Sequence, residues 1–114
     1  MIEKSDLRIL SLMLEKANRL VNIIESYGRN EIYNNYLIGD AIQFEFAKLY
    51  EDSTRLSAEI RISYGDLLHI DDLRGIRNRI AHDYESVVLD RLINTIRNDF
   101  PNLINDISSL LSSN

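Results

Sequence analysis

The sequence predicts an all-α domain, and three observations carry that expectation. Apolar residues recur at three- and four-residue spacing along nearly the whole chain. One proline and four glycines leave few sites for tight turns, and no Asn-Gly or Asp-Gly hairpin signal occurs. The 114 residues, 45% hydrophobic and 27% charged, have the size and composition of one globular domain spanning 1–114. A four- to five-helix bundle is the economical architecture.

The first helix is expected over about residues 5–27. Ser5 is its candidate N-cap, Leu7, Leu10, Leu14, Ala17, Val21 and Ile24 form its stripe, and Gly28 ends it. A second helix opens near Asn30 and runs through Tyr33, Leu37, Ala41 and Phe44 to Lys48, with Ile38, Ile42, Phe46 and Leu49 widening its apolar surface. So wide a stripe serves two sides, the bundle and a second protomer or partner. A third segment over 53–64 carries Leu56, Ile60 and Tyr64, and Gly65-Asp66 breaks or bends it.

The fourth helix begins near Ile70 or Asp71 and buries Leu73, Ile76 and Ile80, which turns Arg74, Arg77 and Asn78 to the opposite or flanking surface. The last starts near Ser86 and carries Val88, Leu89, Leu92 and Ile96. It then meets Pro101, which restarts or kinks it, and Leu103, Ile104, Ile107, Leu110 and Leu111 extend it.

Composition excludes several classes of function. Without cysteine there is no disulfide framework or thiolate metal site, and two isolated histidines argue against a histidine-based zinc centre. No apolar run approaches the ~20 residues of a membrane span, and the start of the chain lacks a basic stretch followed by an apolar one, so the cytoplasm is the default compartment. A net charge of -5 opposes non-specific duplex binding. Residues 74–79 nevertheless hold Arg74, Arg77 and Arg79 and no acidic residue, a basic patch on an acidic chain.

The chemistry concentrates in Arg77-Asn78-Arg79-Ile80-Ala81-His82-Asp83-Tyr84, an R-x4-H-x-Y arrangement. On an unbroken helix Arg77 and His82 sit ~140° apart, so the helix must end or turn near His82 for the two to meet. The apolar periodicity agrees, stopping at Ile80 and resuming at Val87 or Val88. There the helix dipole, Asp83 and Glu85 favour the imidazolium while Arg77 and Arg79 oppose it, which poises His82 for proton transfer near neutrality. An arginine and a histidine without metal ligands suit cleavage of RNA by its own 2′-hydroxyl: the imidazole moves protons and the guanidinium steadies the phosphorane. Each chain supplies only His82 and the more distant His69, so a two-fold dimer facing two motifs across one cleft completes the acid–base pair. The same residues also fit a plainer reading, with Arg77 as a surface ion-pair partner and His82 as a helix-end cap.

Residues 75–84, preceded by a long two-helix region and followed by an amphipathic helix and Asp99-Phe100-Pro101, resemble the HEPN superfamily and most closely its HepT-like toxins. The likeness in length and helix order covers the chain, and specific residue matches run from about Leu73 to Pro101. The resemblance implies a HEPN-type bundle, a two-fold dimer and a metal-independent endoribonuclease without a cofactor. Arg77 and His82 would be catalytic, Asn78 supporting, and Arg74 and Arg79 RNA-binding. It also implies that Tyr84 is adenylylated by an MntA-type nucleotidyltransferase antitoxin, using ATP and magnesium, in a type VII toxin–antitoxin pair. Residues 67–72 depart from the family by lacking a Pro-Trp pair, and Ile76 stands where relatives often carry methionine. The alternative is a non-catalytic HEPN subunit that binds a minimal nucleotidyltransferase and presents nucleotide or substrate.

Overall fold

A single line of apolar residues organises the longest-range packing in the chain. Leu10, Met13, Ala17, Leu20 and Ile24 recur at three- and four-residue intervals and are all buried, which makes α1 (Lys4–Ser26) the central strut of a bundle. The computed structural model describes the backbone of residues 1–82 and 85–114 and the side chains of residues 1–80 and 89–114. Among the described residues it forms six helices and no strand. After α1 come α2 (Arg29–Asn34), α3 (Tyr36–Thr54), α4 (Ala58–Tyr64), α5 (Ile70–His82) and α6 (Glu85–Ser112). Four of them are long and build the bundle; α2 and α4 are short connectors.

Helix α1 lies against both α3 and α6, and α5 closes the bundle against α3 and α6. Ile42, Phe46 and Leu49 of α3 meet Leu92, Ile93, Ile96 and Phe100 of α6 in the core. The Phe46 and Phe100 rings stack with centroids 6.3 Å apart. Burying each such side chain contributes roughly 1.5–3 kcal/mol, so this cluster is the main stabilising feature.

Several expected boundaries shift, each for a local reason. The first helix starts one residue before Ser5, which is therefore not its cap; Glu3 occupies that place without a side-chain bond. The expected continuous second helix is two helices. Asn35 leaves the helical region, with φ -120° and ψ 99°, and its side-chain oxygen accepts from the Leu37 backbone N at 3.0 Å, so it caps α3. The expected 53–64 segment is divided in the same way: α3 continues to Thr54, and Ser57 caps α4 by accepting from Ile60 N at 3.3 Å. Of the two expectations for Pro101, a restart at the first helical position is not what occurs: the residue lies inside α6. Since proline has no N–H, the Arg97 carbonyl one turn earlier loses its intrahelical donor there.

Two buried polar anchors had no signal in the apolar pattern. Asp6 of α1 accepts from both the backbone N and the hydroxyl of Ser57, at 2.8 and 2.7 Å, which pins the start of α4 to the start of α1. Lys16 of α1 meets Asp52 of α3 at 2.6 Å, with side chains 10% and 7% exposed, and Arg55 reaches the other Asp52 oxygen at 2.8 Å. Lys16 and Asp52 are removed from water and depend on each other for compensation, while the solvent-exposed Arg55 guanidinium adds a second partner for Asp52.

The turn between α4 and α5 ends at His69, whose φ of 55° is the one positive value at a non-glycine among the described residues. Its carbonyl accepts from Leu73 N at 2.9 Å and so begins the hydrogen bonding of α5. A branched backbone carbon is disfavoured in that region, so His69 holds local strain at the start of the motif-bearing helix.

Candidate active-site cleft on α5

Helix α5 carries the arginine cluster because its apolar residues are spaced to hold it down. Leu73 and Ile76 are buried and Ile80 is half-buried, which fixes the rotation of the helix and leaves Arg74, Asn78 and Arg79 exposed. Arg77 differs from the other two arginines in being half-buried. It lines a cleft of about 290 Å³ between α3 and α5, with Phe44, Lys48, Tyr50, Glu51 and Thr54 of α3 around it. Among the described residues Arg77 forms no ion pair, so its guanidinium is available to an incoming anion. Lys48 stands at the same cleft with its ammonium 5.1 Å from the centroid of the Phe44 ring.

Arg74 lies one turn toward the start of α5, at a second hollow of about 290 Å³ shared with Arg61, Asp66 and Asp71. The Tyr50 phenol, through a hydrogen bond and its charge, and then Asp71 hold the Arg74 guanidinium above its ordinary range. The Asp71 carboxylate accepts from Arg74 Nη1 at 3.3 Å. Tyr50 also lines the Arg77 cleft, so one phenol interacts with Arg74 and borders the Arg77 site.

The described part of α5 runs to His82 and that of α6 starts at Glu85, and the expected end or turn of the helix near His82 falls on residues outside the described ones. The side chain of His82 and all of Tyr84 lie outside the described residues, as does the orientation of the imidazole relative to Arg77. His69, by contrast, is at the opposite end of α5, thirteen residues of helix or roughly 20 Å from the His82 backbone. Its Nδ1 lies 3.7 Å from Asp72. It is too far away to act with His82 of its own chain on one phosphate. Among the described residues no cluster of three His, Asp or Glu side chains could hold a metal ion, and no helix is long and apolar enough to cross a membrane.

Sequence reasoning missed the α3 half of this cleft. Lys48, Tyr50, Glu51 and Thr54 sit some thirty residues before the motif, and nothing in their spacing connects them with Arg77 until α3 and α5 pack. A weak signal was present in the expected stripe Tyr33, Leu37, Ala41, Phe44 and Lys48. That line faces out, with Leu37 and Phe44 each 63% exposed, whereas Ile42, Phe46 and Leu49 form the core face.

Comparison with known proteins adds an independent line to this geometry. A family model described as Ribonuclease HepT-like matches residues 13–110. No solved structure matches the chain.

Proposed function

Because the chain belongs to the HepT-like ribonuclease family, we propose that it is an endoribonuclease toxin that cuts RNA at the α5 cleft and is silenced by modification of Tyr84. The observation that carries this reading is the placement of Arg77, half-buried at a cleft wall and free of ion pairs among the described residues, five residues before His82.

In the proposed reaction the Arg77 guanidinium binds the scissile phosphate through two parallel N–H donors and stabilises the charge of the phosphorane. His82 accepts the proton of the substrate 2′-hydroxyl, and that oxygen attacks the adjacent phosphorus. The P–O5′ bond breaks, the leaving 5′-oxygen takes up a proton, and a 2′,3′-cyclic phosphate remains. Asn78 orients the phosphate or the cleft, and Arg74 and Arg79 contact flanking phosphates. The remoteness of His69 supports a second copy as the source of the other proton-transfer group. Adenylylation of Tyr84 by a nucleotidyltransferase antitoxin would transfer AMP from ATP to the phenol and release pyrophosphate. It would set a phosphodiester charge two residues from His82, where it competes with RNA phosphate.

The test is cleavage of single-stranded RNA by the purified chain and by Arg77→Ala and His82→Ala. Each substitution should lower the rate by at least about 100-fold, the range of a lost acid–base or charge-stabilising group, with an unchanged circular dichroism spectrum. Full cleavage by both variants would remove the reading. Intact RNA at every concentration, together with a changed activity of the nucleotidyltransferase on mixing, would identify the chain as a non-catalytic binding subunit.

A further inference from the structure

The α3 wall of the Arg77 cleft carries more chemistry than a phosphate needs. Phe44, Ala47, Lys48, Glu51 and Thr54 all line it, and at about 100° per residue they share an arc of about 120° on one side of α3. Phe44 presents an exposed ring and Glu51 an exposed carboxylate, and the small side chain of Ala47 leaves space between them.

Glu51 forms no ion pair among the described residues, although Arg77 and Lys48 line the same cleft. A carboxylate here weakens phosphate binding unless it accepts hydrogen bonds from another part of the same ligand. The Thr54 hydroxyl donates to the Glu51 carbonyl at 2.6 Å, which leaves only its lone pairs for a ligand. The α3 wall therefore offers an aromatic face and hydrogen-bond acceptors, while Arg77 and Lys48 supply positive charge.

We propose that this wall is a nucleobase subsite, in which Phe44 stacks the base next to the phosphate held by Arg77 and Glu51 selects guanine. A carboxylate has two acceptor oxygens and no donor. Guanine is the RNA base whose Watson–Crick edge sets two donors side by side, N1–H and the N2 amino group. Adenine and cytosine place a ring-nitrogen lone pair beside their amino group, and uracil places carbonyls on both sides of N3–H. Each of those three turns an acceptor toward one carboxylate oxygen.

The reach fits a single strand. Unpaired RNA exposes its base faces and Watson–Crick edges, and aromatic side chains stack on them. Packed helices lie roughly 8–10 Å apart, so a phosphate on Arg77 of α5 brings its own nucleoside against α3. Lys48, with its ammonium 5.1 Å from the Phe44 ring centroid, adds charge for a neighbouring phosphate. The subsite deepens the ribonuclease reading, and the phosphate at Arg77 rests on that reading; the base preference rests on the α3 wall.

The experiment measures binding and cleavage separately. Binding is read by fluorescence anisotropy with labelled uridine hexamers that carry one central guanosine, inosine, adenosine or cytidine and 2′-O-methyl sugars, so that they cannot be cut. The full chain should hold the guanosine hexamer at least about tenfold more tightly than the adenosine or cytidine one. Inosine, which lacks the N2 amino group, should lose most of that advantage. Glu51→Gln should collapse the ranking, and Phe44→Ala should weaken all four hexamers by about tenfold, the scale of one lost base stack. Both replaced side chains are exposed, and matching circular dichroism confirms the fold. No preference for guanosine in the wild type, or the same preference in Glu51→Gln, overturns the proposal. So does a Phe44→Ala variant that binds RNA as before and changes only its oligomeric state, which would make the ring a contact between copies. Unmodified hexamers then separate the two readings. A Glu51-dependent guanosine preference with no cleavage contradicts the ribonuclease reading and keeps the subsite; cleavage without any base ranking does the reverse.

Discussion

At the scale of single residues, burial and partnering separate the arginines of α5 into different roles. Arg77 is half-buried and free of ion pairs among the described residues, whereas Arg74 is exposed and shared with Tyr50 and Asp71. Arg74→Ala should therefore leave the melting temperature unchanged and weaken RNA binding across all sequences alike. It should also reduce the salt dependence of log K by about 0.7, the value of one phosphate contact on a single strand. His69→Asn should leave cleavage intact, because His69 lies a helix length from the motif and asparagine tolerates its positive φ. The buried Lys16–Asp52 pair behaves differently. Lys16→Met leaves Asp52 with Arg55 alone and should destabilise by about 3 kcal/mol, while Lys16→Met with Asp52→Leu should cost less than the single change. Urea unfolding of the three proteins measures both values.

At the scale of elements, local side-chain chemistry decides where helices stop, and apolar periodicity does not report it. The stripe through Tyr33, Leu37 and Phe44 is continuous, yet the Asn35 side chain captures Leu37 N and divides the segment in two. Asn35→Ala should cost about 1 kcal/mol through the lost cap, measured by urea unfolding. Pro101 shows the converse: a residue that could have restarted a helix sits inside one, with Phe100, Leu103 and Ile107 on both sides of it buried in the core. The long helices and the motif helix were legible because each depends on its own periodicity, as Leu73, Ile76 and Ile80 show for α5. The division at Asn35, the Asp6–Ser57 anchor and the Lys16–Asp52 pair were not, since each depends on a few polar atoms brought together by packing. The candidate site divides the same way. Arg77 and its neighbours on α5 could be read from the chain, while Lys48, Tyr50 and Glu51 join it only through the α3–α5 contact.

At the scale of the whole molecule, an acidic chain of net charge -5 carries three of its thirteen basic residues, Arg74, Arg77 and Arg79, close together on α5. The general field repels nucleic acid, so binding depends on that local patch and falls steeply with salt. In the proposed regulation through Tyr84 the same logic would hold, because one phosphodiester placed beside the patch would alter the region that is to attract RNA. Incubation with a nucleotidyltransferase antitoxin and Mg-ATP should raise the intact mass by one AMP or a multiple of it in the wild type and leave Tyr84→Phe unchanged.

The central claim is that the substrate's own 2′-hydroxyl is the nucleophile and that this chain supplies Arg77 and His82 to it. It is tested most directly with a short single-stranded RNA containing one preferred cleavage site, compared with the same strand carrying a 2′-deoxy sugar at that nucleotide. The account predicts a 2′,3′-cyclic phosphate product from the first strand, no cleavage at the substituted position of the second, and no product from either with Arg77→Ala. Cleavage of the deoxy strand at that position, or a product that persists in both Arg77→Ala and His82→Ala, would contradict it.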